Sequence, residues 1–170
     1  REIIKKMNLS DQPLEIVYTA DLPAMSGLGS SSSSTVGMIN AATALNNNII
    51  GKKKLAKDAI FIEREKLREN VGYQDQIASA FGGFNKITLN PNNFLVESFN
   101  NFHNLKILND HCFLYFTGLQ RISSKIEKEK ISQIKNSIKI KNYENIYDIA
   151  EEAVKELNKK KFSIKNIGKL

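Results

Sequence analysis

The 170-residue chain is 41% hydrophobic and carries a formal net charge of +7, which indicates a globular protein of one or two domains that favours anionic partners. No run of 18 apolar residues occurs, so we expect no membrane span, and the single cysteine excludes an intrachain disulfide and favours a cytoplasmic location. The lysines are dispersed rather than gathered on one face between aromatic residues, which argues against a nucleic-acid-binding module.

The first part of the chain predicts an anion site. Residues 1–9 are predicted to end a helix and residues 14–19 to form a strand, followed by a Pro/Gly/Ser turn and an amphipathic helix from near Ser31 to about Leu45. Gly27 and Gly29 allow backbone N–H groups to converge on phosphate oxygens, and the helix N-terminus points at the same place. A flexible linker is the alternative for so Gly/Ser-rich a stretch, but its flanking strand and helix favour the anion site.

The remaining predicted elements follow in chain order. They are a helix over residues 55–68 with an apolar face of Leu55, Ala59, Ile62 and Leu67, a short helix from Gly72 to Ala80, a hairpin of strands 84–89 and 94–99, a buried strand 112–117, a lysine-rich helical stretch 122–141, a helix 143–157 and a last helix capped by Ser163. This mixture of helices and strands predicts an α+β fold.

Two carboxylates carry the predicted chemistry. Glu63 lies beside the buried face of its helix, where a carboxylate must be paired or bound to a cation, and an ion pair with Lys66 or Arg68 is the alternative. Asp75 lies at the start of a helix, where it either caps the helix or orients and deprotonates a hydroxyl that attacks phosphorus. Gln74 and Gln76 on either side of it are expected to be orienting hydrogen bonders.

Several motifs resemble the GHMP kinases, the superfamily of galactokinase, homoserine kinase, mevalonate kinase and phosphomevalonate kinase. Residues 23–32 read P-A-M-S-G-L-G-S-S-S and are similar to that family's P-x-x-x-G-L-G-S-S-x phosphate loop. The serine run followed by T-V-G, residues 71–85 (V-G-Y-Q-D-Q-I-A-S-A-F-G-G-F-N) and residues 114–121 (L-Y-F-T-G-L-Q-R) resemble D-glycero-D-manno-heptose 7-phosphate kinases in particular. Met25 departs from the small residue expected there. The resemblance covers residues 14 to about 125.

The resemblance implies a particular fold and domain organisation. It implies a GHMP kinase-like α+β architecture, with a ribosomal protein S5 domain 2-like N-terminal ATP-binding domain over residues 1–117 and the start of a mostly helical C-terminal domain over residues 118–170. Because the family's N-terminal strand motif and C-terminal glycine-rich motif have no counterpart here, we expect a fragment truncated at both ends. Such a piece alone is expected to bind nucleotide weakly and to turn over little substrate.

The resemblance also implies roles for individual residues. Asp75 would be catalytic, and Ser31 with Glu63 would bind Mg²⁺, with Glu65 as the competing register. The sugar substrate would contact Gln74, Gly82, Gly83 and Arg121, the last either holding the 7-phosphate or forming a surface salt bridge. The phosphates of ATP would contact Pro23, Ser26, Gly27, Leu28, Gly29, Ser30, Ser31 and Ser32.

The implied activity is an ATP- and Mg²⁺-dependent sugar kinase. It would phosphorylate the anomeric hydroxyl of D-glycero-D-manno-heptose 7-phosphate to the 1,7-bisphosphate, toward nucleotide-activated heptose for surface polysaccharide. The alternatives are another GHMP sugar kinase, similar to galactokinase or fucokinase, and a non-catalytic ligand sensor on the same fold. The expected partners are ATP and a sugar phosphate, without nucleic acid or membrane, and the choice between monomer and homodimer stays open.

Overall fold

The computed structural model describes residues 2–11, 13–21, 27–91, 93–115 and 137–170. Within these ranges the residues up to Gly83 form one compact unit, and residues 84–115 with 137–170 form a second. Helices combine with a two-stranded antiparallel sheet, so the predicted α+β class is confirmed. The predicted domain boundary between residues 117 and 118 lies outside the described residues and stays a prediction.

The described part of the first unit is helical. It contains α1 (Glu2–Lys6), α2 (Ser30–Leu45), α3 (Lys52–Phe61) and α4 (Gln74–Phe81), and α3 continues directly into a π-helical turn over Ile62–Lys66. The predicted helices near residues 1–9, 31–45 and 72–80 are therefore confirmed. The helix predicted over residues 55–68 starts three residues earlier and is α-helical only as far as Phe61.

The core of the first unit lies between α2, α3 and α4, which pack against one another. Their buried apolar residues are Val36, Ile39 and Ala42 on α2, Leu55, Ala56 and Ala59 on α3, Ile62 in the π-turn, and Ile77 and Ala80 on α4. Among them Ala56 and Ala59 are completely inaccessible to solvent. Such small side chains let neighbouring helices approach closely, and α3 packs against both α2 and α4.

One predicted core residue is wrong because of the π-helical turn. Leu67, expected on the apolar face, is 48% exposed. Its backbone N–H donates to the carbonyl of Ile62 at 2.9 Å, five residues back rather than four. The wider turn rotates Leu67 out of the α-helical register, and Arg68 then ends the helix with a positive φ of 55°.

Two predicted strands are wrong. Residues 14–19 have no regular secondary structure, and the large apolar side chains among them are exposed along an open cavity of about 630 Å³ beside α2. Residues 112–115 are likewise irregular and exposed, and residues 116 and 117 lie outside the description. Apolar composition alone does not form a strand, because its backbone groups need a paired neighbour. Neither segment pairs with a strand in the described part of the chain.

The second unit contains the predicted hairpin. Strand β1 (Asn85–Asn90) pairs antiparallel with β2 (Asn93–Ser98), with Asn85 opposite Ser98. Three helices follow among the described residues: α5 (Phe102–Asp110), α6 (Ser137–Leu157) and α7 (Ile164–Ile167). The predicted helix 143–157 lies within α6, and most of the predicted helical stretch 122–141 lies outside the described residues. None of the described helices is both long and apolar enough to cross a bilayer.

Helix α5 was not predicted from the sequence, and its side chains fix the end of α6. Its start is capped by Asn101, whose side-chain oxygen accepts from the Asn104 N–H at 3.2 Å. The buried amide of Asn104 then donates to the carbonyls of Leu157 at 2.8 Å and Lys159 at 2.9 Å. Ser163 precedes α7 as predicted, but its side chain makes no capping hydrogen bond.

Candidate active site

The N-terminus of α2 has the geometry of an anion site. Gly29 is its N-cap residue in a left-handed conformation with φ 69° and ψ 23°, and Gly27 also has a positive φ of 80°. The first N–H that bonds back within the helix belongs to Ser33, which donates to the Gly29 carbonyl at 2.9 Å. Among the described residues no side chain caps the helix, and the N–H groups of residues 30–32 have no bonding partner within the helix. These donors lie beside the positive end of the helix dipole.

The predicted phosphate-binding side chains differ in exposure. Leu28 and Ser31 are exposed, Ser30 is partly exposed and Ser32 is buried. Pro23 and Ser26 lie outside the described residues. The part of the loop that the structure describes thus presents backbone and hydroxyl groups of consecutive residues at one helix end.

Glu63 is the most deeply buried carboxylate of the described chain, with 0% of its surface exposed. Its Oε2 accepts a hydrogen bond from the Ser32 hydroxyl at 2.9 Å and another from Nε2 of Gln76. Its Oε1 is buried and has no hydrogen-bond partner among the described residues, and the same is true of the Oε1 of Gln76. The alternative of an ion pair with Lys66 or Arg68 is not formed between these residues, all three of which are described.

The donor set around Glu63 fits a hard cation such as Mg²⁺. A buried carboxylate oxygen without a donor is costly unless a cation satisfies it, and Mg²⁺ takes oxygen ligands. Glu65, the competing register, is exposed. Ser31 was the serine expected to share the metal, but the structure places Ser32 beside Glu63, since adjacent helical residues point about 100° apart.

A second carboxyl group, that of Glu69, lies close to Glu63. The N–H of Glu69 donates to the Glu63 carbonyl at 2.9 Å, which holds the two residues close together. Burial raises the pKa of Glu69 above its ordinary value, and the negative charge of Glu63 raises that pKa further. Burial is thus the larger cause of the raised pKa of Glu69, and the neighbouring Glu63 adds to it.

Asp75 lies close to Gly29 at the N-terminus of α2. It is the second residue of α4, it is exposed, and the N-cap position belongs to Tyr73. The alternative role of N-terminal cap is therefore not supported. A Cβ added to Gly29 would lie 3.3 Å from both Cγ and Oδ2 of Asp75. Asp75 thus stands against the N-terminus of α2, and a hydrogen bond of 3.1 Å between Ser33 and Ser79 also joins α2 to α4.

The predicted substrate residues are less closely grouped. Gln74 is exposed at the start of α4. Gly82 and Gly83 both have positive φ and open space around the position of an added Cβ. Gly82 ends α4 with φ 63° and ψ 172°, which lies outside the left-handed helical region. Arg121 lies outside the described residues, so its role stays a prediction.

Sequence reasoning missed two contacts at this site. Gln76 was expected to orient another group, but its partner, Glu63, lies 13 residues away and was not foreseen. The available signal was its position beside Ile77 and four residues before Ala80, on the buried face of α4. The guanidinium of Arg64 lies 4.5 Å from the ring centroid of Tyr73, a cation–π contact that ties the π-turn to the start of α4.

Comparison with known proteins agrees with this geometry. Residues 1–83, the described part of which forms the first compact unit, match the family model of the GHMP kinases N terminal domain. The chain is also 35% identical over 155 residues to the D-glycero-alpha-D-manno-heptose 7-phosphate kinase of Campylobacter jejuni. The two findings confirm the predicted resemblance. The match covers 90% of this chain but 45% of that kinase, so the chain spans less than half the length of its relative. No solved structure gives a significant match.

Proposed function

We propose that the protein is an ATP-dependent sugar kinase that phosphorylates the anomeric hydroxyl of D-glycero-D-manno-heptose 7-phosphate to the 1,7-bisphosphate. The observation that carries the proposal is the close approach of Asp75 to Gly29 at the N-terminus of α2, where an added Cβ would lie 3.3 Å from Oδ2 of Asp75. The family domain supports phosphoryl transfer, and the 35% identity to a heptose 7-phosphate kinase supports the sugar. A cytoplasmic location and a place in surface-polysaccharide synthesis belong to the same proposal.

The terminal phosphates of ATP would lie at the N-terminus of α2. The N–H groups of residues 30–32, which have no partner within the helix, and the helix dipole favour an anion there, and the positive φ of Gly27 and Gly29 suits a tight phosphate-binding turn. No lysine occurs between residues 21 and 48, so the chain would hold these phosphates in that segment by backbone N–H and serine hydroxyl groups.

Asp75 would act on the acceptor. Its carboxylate takes the proton from the sugar hydroxyl as that oxygen bonds to the γ-phosphorus, and the bond from this phosphorus to the ADP oxygen breaks. The close approach of Asp75 to Gly29 supports this role, because positioning of the base beside the phosphates contributes much of the rate.

Glu63 and Ser32 would hold the magnesium ion. Glu63 offers the unpartnered Oε1, and the Ser32 hydroxyl lies beside the same carboxylate. Bound there, the ion would neutralise charge on the phosphates. Burial of Glu63 in the core of the first unit fixes its carboxylate and excludes bulk water from it.

The test is acceptor-dependent release of ADP by the complete protein, measured with heptose 7-phosphate, galactose, fucose and mevalonate. Acceleration by the heptose phosphate alone is expected, and Asp75→Asn should lower kcat by about 10²- to 10⁴-fold, as for loss of a positioned base. No acceleration with any acceptor despite saturable ATP binding would favour the non-catalytic sensor, and preference for an unphosphorylated sugar would favour a galactokinase- or fucokinase-like enzyme.

A matched pair of substitutions tests the metal site separately. Glu63→Gln removes the buried charge, and the expected result is a higher Mg²⁺ concentration for half-maximal rate. Glu65→Gln removes an exposed carboxylate two residues away and should leave the Mg²⁺ dependence unchanged. Equal effects of both substitutions would contradict the assignment of Glu63.

A further inference from the structure

Gln76 is the feature of the site for which the proposed reaction gives no role. Its side chain is 1% exposed although it lies only one residue from the exposed Asp75. A buried amide is retained where its hydrogen bonds matter, since an unsatisfied one costs free energy. The partner of its Nε2 is Glu63, 13 residues earlier in the chain, and the contact connects α4 to the π-turn.

The hydrogen bonds at Glu63 are unevenly divided between its two oxygens. Oε2 accepts from both Gln76 and the Ser32 hydroxyl, whereas Oε1 accepts from no described group. The amide orientation follows from chemistry, because only Nε2 of a glutamine can donate and its Oε1 would repel the carboxylate. Two donors on one oxygen fix the plane of the carboxylate, and among the described groups the other oxygen is left without a donor.

We propose that Gln76 is a positioning residue that holds Glu63 by Oε2 and thereby commits Oε1 to bind the nucleotide-associated divalent cation through a single oxygen. The inference rests on the proposed function, because it assigns Glu63 to that cation. It adds a group that touches neither cation nor nucleotide in this role and acts through the carboxylate alone. Hydrogen bonds of this kind to a ligating carboxylate orient it, and their loss typically weakens metal binding by about 10- to 100-fold.

The experiment measures binding rather than turnover. Mn²⁺, a paramagnetic substitute for Mg²⁺, is titrated into the complete protein in the presence of saturating ADP, and free Mn²⁺ is followed by electron paramagnetic resonance. Gln76→Met keeps the length of the side chain but removes the donor, and it should weaken Mn²⁺ binding by about 10- to 100-fold. Gln76→Asn, one methylene too short to reach Glu63, is a second variant with the same expectation should the methionine variant fail to fold.

The matched control is Asn104→Leu, in the second compact unit. It also removes a buried amide that donates hydrogen bonds, and it should leave the Mn²⁺ affinity unchanged. A double substitution then isolates the route of action. In a Glu63→Gln background, Gln76→Met should change the Mn²⁺ dissociation constant by less than about twofold, because a group acting only through a carboxylate has no effect once that carboxylate is gone.

The outcomes separate this inference from the proposed function. If the wild-type protein binds Mn²⁺ with ADP and both Gln76 variants bind it equally tightly, the positioning role is overturned while the kinase proposal stands. If Gln76→Met weakens Mn²⁺ binding equally with and without Glu63, Gln76 acts by another route and the inference is again wrong. If the wild-type protein shows no ADP-dependent Mn²⁺ binding, the cation site fails and the inference fails with it.

Discussion

Substituting alanine at Gly29 should damage catalysis more than the same substitution at Gly27. Both residues have a positive φ, 69° and 80°, so a side chain at either position costs about 1–2 kcal/mol of unfolding free energy for the left-handed backbone alone. The two sites differ in their surroundings. A Cβ at Gly29 would lie 3.3 Å from Cγ and Oδ2 of Asp75, whereas one at Gly27 would meet no atom within 4 Å.

The contact at Gly29 is tighter than a relaxed van der Waals contact, so the Asp75 carboxylate must move away by a few tenths of an ångström. Since displacement of a reacting group by about 1 Å can cost a factor of about 100 in rate, we expect Gly29→Ala to lower kcat on the order of tenfold. Gly27→Ala should keep kcat near the wild-type value at saturating ATP. A higher KM for ATP in this variant would not contradict the prediction, which concerns kcat alone.

The assay combines urea unfolding with steady-state ADP release at saturating ATP and heptose 7-phosphate. Similar losses of unfolding free energy in the two variants would show that the shared backbone penalty is present in both. Equal kcat values for the two variants would refute the argument, because the contact with Asp75 would then have no effect on the chemical step.

Three further predictions concern stability, each measured by urea unfolding. Burial raises the pKa of Asp58, but hydrogen bonds and charge from two lysines lower this pKa below the ordinary 3.8 overall, so ionised Asp58 stabilises the fold above that pH and this stabilisation is lost as the pH falls. Asp58→Asn should therefore cost on the order of 1 kcal/mol of unfolding free energy at pH 7 and nothing once the wild-type carboxyl is protonated. A cost that does not vary with pH would contradict this prediction. The pKa of Glu69 is raised, first by burial and then by the charge of Glu63, so ionisation of Glu69 destabilises the fold as the pH rises through the folded pKa. Glu69→Gln should therefore stabilise the protein at pH 7 and make no difference well below pH 4.5. Destabilisation at pH 7 would refute the repulsion between Glu69 and Glu63. Asn104→Leu should cost about 1–3 kcal/mol, because two carbonyls at the end of α6 lose their donor, and an unchanged unfolding midpoint would show that water replaces it.

The start of α2 could be predicted because its signals are local. Two glycines have positive φ, and Val36, Ile39 and Ala42 follow them at helical spacing. The hairpin was equally predictable, since two short apolar runs flank a turn. In both cases each residue's conformation depends on neighbours a few positions away, so the printed sequence contains the information.

The two wrong strands show the limit of such local signals. Residues 14–19 and 112–117 have strand-like composition, but a strand exists only through pairing with a neighbour, and composition cannot say whether that neighbour is present. The π-turn is a similar case. Nothing in the sequence around Ile62 distinguishes a five-residue hydrogen-bond step from a four-residue step, so the exposure of Leu67 could not be foreseen.

The residue types at the site were predictable, but their partners were not. Sequence favoured Glu63 over Glu65, and burial agrees with that order. The choice of Ser32 over Ser31 required the rotation of α2 relative to α3, which depends on how three helices pack. The hydrogen bond from Gln76 depends on the same packing. The assigned roles of all these residues in catalysis stay predictions that the binding and kinetic experiments test.

The small alanine side chains in the core of α3 affect the hydrogen bond between Ser32 and Glu63. A serine hydroxyl extends only one carbon from the backbone, so Ser32 meets Glu63 at 2.9 Å only where the start of α2 and the end of α3 run close together. Ala56 and Ala59 are inaccessible to solvent on α3, which continues directly into the π-helical turn that contains Glu63. A bulkier residue at either position would cost about 1–3 kcal/mol by overpacking and would push the helices apart. Every polar group would remain, but the hydroxyl would fall short of the carboxylate, so side-chain volume on α3 sets the reach of a residue on α2.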